Sequence, residues 1–291
     1  MIMAILGSNK KMTKPTGNSS NTTLLNEEYF SRVSEKEFVE GSPHLKHYDL
    51  AIRALNEARI IFEQVRQEND CPEVLDMGAG EGMLTLPFLE MGAAVTAADA
   101  TRALLDVLAM RAAKFKSRLT LAVGDIFETL EQYGKTGRRF DIICASSFLH
   151  HIPDYLKLCR MSAGLIRPGG TFFTFQDPLR YDTLDKGTYW FNRTSYFTWR
   201  LFQGNYVRGI KTRLRRLSGT YHNDLAEDMI EYHVVRNGVD QESIQKLFEA
   251  EEFTCEIQKY WSTQSTIFHR VGTKLGLSNT FAVIATRRKD R

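Results

Sequence analysis

Residues 74–82 read Val74-Leu75-Asp76-Met77-Gly78-Ala79-Gly80-Glu81-Gly82, a short apolar strand that ends in an acid and opens into a turn with glycine at every second position. Apolar periodicity resumes beyond Gly82, so the turn leads into a helix whose first N–H groups lack partners within the helix and suit a polar ligand. Glycine at positions 78, 80 and 82 keeps side chains out of the way, so a ligand can lie against bare backbone.

Spacing separates the ligand classes that use such turns. A dinucleotide site places its glycines as Gly-x-Gly-x-x-Gly, which counted from Gly78 demands a third glycine where this chain has Met83. A second strand, Ala94-Val95-Thr96-Ala97-Ala98, ends in Asp99 and Ala100, about 20 residues past the turn, where a nucleoside-binding sheet puts an acid for ribose hydroxyls. A third, Leu119 to Val123, runs into Gly124-Asp125-Ile126. A fourth, Phe140 to Ala145, meets Ser146-Ser147-Phe148-Leu149-His150-His151-Ile152-Pro153-Asp154, and Thr171 to Phe175 follow Leu165-Ile166-Arg167-Pro168-Gly169-Gly170 as a fifth.

The order Asp-x-Gly-x-Gly-x-Gly over residues 76–82, with Leu-x-Arg-Pro-Gly-Gly before one strand and Leu-His-His-Ile-Pro-Asp after another, resembles the class I S-adenosylmethionine (SAM)-dependent methyltransferases over roughly residues 72–178. The resemblance implies an α/β fold, a doubly wound, mostly parallel sheet of seven strands with the last antiparallel, N-terminal helices and an inserted helical cap. It also implies SAM as cofactor, held by Asp76, Gly78, Ala79, Gly80, Gly82, Asp99, Ala100, Asp125, Ile126 and Ser146. Pattern alone supports only alternating strands and helices around a mostly parallel sheet. Asp125 also has a plainer reading as a helix N-cap, and Asp141, which opens its strand away from the ligand side, reads as solvated or capping.

Bulk properties fit an intracellular enzyme. A chain of 291 residues buries a full α/β core with about 100 residues to spare. Cys71, Cys144, Cys159 and Cys255 show no metal-ligand spacing and read as reduced, with Cys144 inside a buried strand. The opening Met1 to Leu6 is too short for a secretory leader and no run reaches transmembrane length, so a cytoplasmic protein without a membrane span is expected. A net charge of +3 does not by itself point to nucleic acid.

Five segments emerge: a flexible polar tail at 1–23, a helical lid at 24–70, the SAM-binding core at 71–178, an inserted substrate cap at 179–239 and the sheet's C-terminal part at 240–291. Ser42-Pro43 starts a helix that continues through Leu50, Leu55, Ile60, Ile61 and Val65 toward Arg66. Near the C-terminus a helix is expected over 241–250, a strand over 253–261, a short helix over 266–275 and a last strand over 280–286.

The insertion crowds Tyr189, Trp190, Tyr196 and Trp199 among arginines, and then turns acidic at Asp224, Glu227, Asp228 and Glu231. Aromatic faces suit flat organic molecules and arginines suit anions, so a small aromatic or anionic acceptor is expected, touched by Tyr29, Asp177 and those four aromatics. The basic run Arg208 to Arg216 equally reads as a solvated helix face, or as a membrane-surface or nucleic-acid patch that the acids soon after it oppose. Acceptor identity and oligomeric state leave no mark.

SAM carries an activated methyl, so its enzyme must mainly align a nucleophile and exclude water. A hydroxyl acceptor needs a base, for which His151 is preferred because it matches the family's recurrent histidine before Ile-Pro-Asp, with His150 second; the same histidine can be a positioning group. His222 and His233 suit exposed or structural roles equally well. Base-methylating relatives carry Asn or Asp with Pro-Pro after the fourth strand where this chain has Ser146-Ser147-Phe148-Leu149, which turns the resemblance toward the branch that methylates quinones and other small metabolites, so no nucleic-acid partner is expected. O-methylation is thus the leading reading. A non-methylating SAM-linked rearrangement, an RNA methyltransferase and a binding protein with a decayed site are the alternatives.

Overall fold

The computed structural model describes residues 41–202, 232–234 and 236–289. The tail, the whole segment 24–38 with Tyr29, His222, the basic run 208–216 and the acids 224–231 lie outside the described residues.

Helices α1 (Pro43–Lys46) and α2 (Tyr48–Arg66) precede β1 (Glu73–Met77), α3 (Thr85–Met91), β2 (Ala94–Asp99), α4 (Arg102–Arg111) and β3 (Leu119–Val123). Then come α5 (Ile126–Thr136), β4 (Phe140–Ser146), a 3-10 turn (Leu149–His151), α6 (Tyr155–Leu165) and β5 (Ile166–Pro178). Beyond lie α7 (Lys186–Phe202), α8 (Gln241–Ala250), β6 (Phe253–Tyr260), α9 (Thr266–Lys274) and β7 (Thr280–Arg287). The strands form one sheet of seven in the order β3-β2-β1-β4-β5-β7-β6. β1 to β5 are parallel to their neighbours and β7 runs antiparallel to β5 and β6, as the family pattern implies.

Both faces of the sheet are covered. One core joins Leu75, Met77, Ile143 and Phe172 to the helices α5, α6 and α8; the other joins Val74, Ile142, Phe173 and Phe175 to α2, α3 and α4. This explains why β1 and β4 read as continuous apolar runs, because side chains of a doubly covered sheet meet a helix whichever way they point. Chain order reverses at β1, which sends the chain outward through β2 and β3 on one side and has β4 on the other. At such a switch point the crossovers leave opposite ways, and a crevice opens beyond the strand carboxyl ends, at the glycine turn.

Three expectations need correction. The helix expected from Pro43 to Arg66 is broken at His47, whose backbone is extended at φ −103°, ψ 117°. There the His47 ring meets the Thr263 carbonyl at 2.8 Å, a tertiary bond outweighing helix continuity. The inner face of α2 is built from Leu50, Ala54, Ala58, Ile61, Phe62 and Val65, while Ile60 is 49% exposed. Asp141 is buried rather than solvated: its Oδ2 accepts the Glu73 N–H (2.8 Å), Asn69 Nδ2 (2.9 Å) and Arg167 Nη1 (2.9 Å), knitting together the amino ends of β1, β4 and β5. One strand-start N–H, that of Glu73, and two side-chain donors hold the acid inward.

Candidate active site

The glycine turn is shaped from two strands. The N–H groups of Gly78 and Ala79 donate to the Ala98 carbonyl at the end of β2, at 2.8 and 3.1 Å. Asp99 then holds the turn itself, its Oδ2 accepting the Gly80 N–H at 2.9 Å and its Oδ1 the Thr101 N–H at 2.7 Å. An ionised carboxylate offers about four lone-pair directions, so these two bonds leave acceptor capacity on the crevice side. Burial raises the Asp99 pKa.

All three glycines take left-handed backbone, with φ of 66° at Gly78, 51° at Gly80 and 96° at Gly82, but their surroundings differ. A Cβ on Gly80 would meet nothing within 4 Å. One on Gly78 would lie 2.3 Å from the Phe148 ring and one on Gly82 2.4 Å from Leu108 Cδ1. The expectation that all three leave room for a ligand is corrected accordingly: the chain's own side chains fill two of the spaces, and Gly80 alone presents open backbone. The open space over Gly80, beside a carboxylate with remaining lone pairs, fits a ligand carrying vicinal hydroxyls.

Asp76 works from behind the turn. It is 2% exposed and its Oδ2 accepts the Thr85 hydroxyl at 2.6 Å, fastening the end of β1 to the start of α3. Burial pushes its pKa up to about 7. Along the carboxyl edge, Asp125 caps α5 by accepting the Phe127 and Glu128 N–H groups at 2.8 and 3.3 Å, and Ile126 beside it is buried. Ser146 donates its hydroxyl to Met83 Sδ at 3.3 Å, which spans the crevice between β4 and the turn. Ala79 is buried and Ala100 half-buried.

The ends of β4 and β5 carry two left-handed residues that are not glycine, Ser147 at φ 54° and Gln176 at φ 73°. The Ser147 N–H donates to the Phe175 carbonyl (2.7 Å), and Tyr260 Oη accepts the Gln176 N–H (2.9 Å) while Gln176 Nε2 reaches Ser262 Oγ (2.6 Å). Strain of this kind persists only where the surroundings enforce it. It turns the chain so that His150 and Asp177 meet.

His150 and His151 occupy different settings. His150 is buried, with Nδ1 2.8 Å from Asp177 Oδ1, and that same oxygen accepts the His150 N–H at 3.0 Å. Burial pushes Asp177 up to about 7 and His150 down to about 3, so both shifts oppose a charged imidazolium–carboxylate pair. His151 is half-buried, its ring 4.1 Å from that of His150. His233 clamps the turn from outside: its N–H donates to the His150 carbonyl at 2.9 Å and its Nε2 lies 3.0 Å from the Ile152 carbonyl. Asp177, expected to touch substrate, is completely buried in this pair.

The aromatics of α7 divide. Phe191 packs on Trp261 and Phe268, Asn192 accepts from Asn279 Nδ2 at 2.9 Å and Ser195 pairs with the Thr263 hydroxyl at 2.5 Å, so this face docks on the sheet's edge loops. Tyr189 and Trp199 are half-buried, while Trp190 and Tyr196 are 66% and 37% exposed. Sequence reasoning missed Phe148 over Gly78, the clamp from His233 and buried His44. Only Pro43 beside His44 carried a local signal, since the others are contacts between distant segments.

Residues 42–256 match a family model described as a methyltransferase domain. The ubiquinone biosynthesis O-methyltransferase of Coxiella burnetii is 31% identical over 122 residues, 42% of this chain and 50% of that protein. Its namesake in Xanthomonas campestris is 32% identical over 123 residues, again 42% and 50%. The chain thus spans about half the length of the curated relatives it matches. Among solved structures, the magnesium protoporphyrin IX methyltransferase of Synechocystis PCC 6803 with bound SAH superposes with a TM-score of 0.53 at 12% identity, covering 91% of this chain and 99% of that one, which shows a shared fold.

Proposed function

Because the chain belongs to the class I SAM-dependent methyltransferase family, we propose that it transfers a methyl group from SAM to a hydroxyl of a small organic acceptor. The observation that carries this reading is the bond from the Gly80 N–H to Asp99 Oδ2, which sets open backbone and an unsaturated carboxylate side by side at the switch point of the sheet. Asp99 would accept the ribose hydroxyls, Gly78, Ala79, Gly80 and Gly82 would line the turn, Asp125 and Ile126 would flank the base with Ala100 and Ser146 at the rim, and Asp76 fixes the turn from behind. When bound, SAM supplies a methyl carbon already activated by its sulfonium.

The chain's own residues then do three things. The left-handed turns at Ser147 and Gln176 place the histidine pair at the carboxyl ends of β4 and β5. The buried Asp177–His150 pair holds the 3-10 turn, and with it the half-buried His151, which would accept the proton of the acceptor's hydroxyl. Tyr189, Tyr196 and Trp199 supply aromatic surface for the acceptor, with Tyr29 of the N-terminal segment, whereas Trp190, expected among them, lies on the outward side of α7, opposite the buried Thr188 and Ser195. The two O-methyltransferase relatives favour oxygen as the accepting atom.

The test is calorimetric titration with SAM and SAH, followed by incubation with phenolic and carboxylate metabolites while SAH release and products one methyl heavier are measured. Saturable SAH binding with a methylated product supports the proposal. SAH release without a methylated product would favour the rearrangement reading, and failure to bind either compound would refute both.

A further inference from the structure

Helix α9 and the parts of α2 and α7 that touch it carry several of the large apolar side chains exposed among the described residues. Tyr48 is 80% exposed, Trp190 66%, Phe197 47%, Ile267 74%, Val271 42% and Leu275 64%. They adjoin because His47 stacks on His269 at 4.0 Å and Phe191 touches Phe268 at 5.2 Å, which packs the starts of α2 and α7 against α9.

Cations share the outward faces of two of these helices. On α9, Phe268, His269 and Gly272 face inward, where a Cβ on Gly272 would lie 2.3 Å from Trp261 Nε1. Ile267, Arg270, Val271, Lys274 and Leu275 line the opposite, exposed side at i, i+3, i+4, i+7 and i+8. On α7 the buried Thr188 and Ser195 oppose a stripe of Lys186, Trp190, Arg193 and Phe197. Neither helix contains an acidic residue. Among the described residues, the acids beside the starts of α2 and α7 have partners of their own, Asp49 at His269 Nε2 (2.9 Å) and Asp185 at the Thr188 N–H (2.9 Å).

We propose that this surface, centred on α9 and bordered by α7 and Tyr48, docks on an anionic lipid surface, the apolar side chains entering the interface and the Lys and Arg side chains meeting the headgroups. A helix that lies in a membrane interface needs this division of apolar and basic side chains. Single exposed apolar residues need no explanation, but a contiguous set does. Among the described residues no helix is long and apolar enough to cross a membrane. A second copy of the chain would bring Arg270 and Lys274 against like charges, which disfavours that occupant.

The experiment is co-sedimentation of the full chain with vesicles of phosphatidylcholine alone and of phosphatidylcholine mixed with phosphatidylglycerol. The expected result is binding to the mixed vesicles, weakened about tenfold or more by Ile267→Glu with Leu275→Glu and likewise by Arg270→Glu with Lys274→Glu. Both double variants are expected to keep the wild-type melting temperature, because the altered side chains are exposed. A wild-type chain that ignores mixed vesicles overturns the proposal, as does vesicle binding that both double variants retain. A sedimentation-defined dimer dispersed by the Ile267/Leu275 variant, without vesicle binding, would assign the surface to a second copy. A lowered melting temperature in that variant, again without vesicle binding, would assign it to cover from within the chain.

Discussion

The carboxyl of Asp177 at the end of β5 and the imidazole of His150, from the turn after β4, meet at 2.8 Å in a fully buried pair. Asp177→Ala would leave the His150 amide and ring nitrogen buried without their acceptor. Each such loss costs about 1–3 kcal/mol, so denaturant unfolding should show a drop of that order or somewhat more. If Asp177 only supports the turn, turnover by the folded variant should fall while SAH affinity stays within a few-fold; an unchanged turnover would separate the pair from catalysis.

His44 gives the fold an acid-labile point. It is buried with Nδ1 unpartnered among the described residues, and burial lowers its pKa from 6.5 to about 3. The folded chain therefore keeps it neutral where the unfolded chain binds a proton, so its contribution is complete above pH 6.5 and is lost as pH falls toward 3. The slope is at most about 1.4 kcal/mol per pH unit. Melting temperatures of wild type and His44→Leu, compared between pH 7 and pH 4, should shift in favour of the variant on acidification. A constant difference would refute a neutral buried His44.

Gly78 and Gly80 should fail in different ways. Gly78→Ala drives a methyl into the Phe148 ring and should unfold more easily, with Phe148→Ala relieving part of the loss. Gly80→Ala meets open space, so its cost is the left-handed backbone, about 1–2 kcal/mol, and its main effect should be on SAH affinity. Stability and calorimetry of the three variants check this. Equal SAH affinity in Gly80→Ala and wild type would place the cofactor elsewhere.

Asp99→Ala should weaken SAH binding by about tenfold to a hundredfold, since hydrogen bonds to a charged acceptor contribute about 1.5–3 kcal/mol. Asp99→Asn is expected to fare little better, because its amide nitrogen must face either the Gly80 or the Thr101 N–H, donor against donor. Titration calorimetry of both variants decides whether Asp99 holds the ligand.

The sequence alone determined the sheet and its ligand edge. The alternation of strands and helices, the glycine turn after Asp76 and the acid at Asp99 were legible, because β periodicity, apolar runs and glycine turns are local properties imposed by backbone sterics, while the seven-stranded sheet with its antiparallel last strand came from the family resemblance. Asp141 was misread because its partners Asn69, Glu73 and Arg167 come from other segments, and His47 because its bond to Thr263 spans most of the chain. Tertiary structure alone decided that Phe148 fills the space at Gly78, that His150 is buried against Asp177 while His151 is half-buried, and that Phe191 of α7 is spent on packing against Trp261 and Phe268. The physical reason is that burial and hydrogen-bond partnership belong to pairs of residues distant in sequence, and no local pattern records which of two adjacent histidines the closing sheet will turn inward.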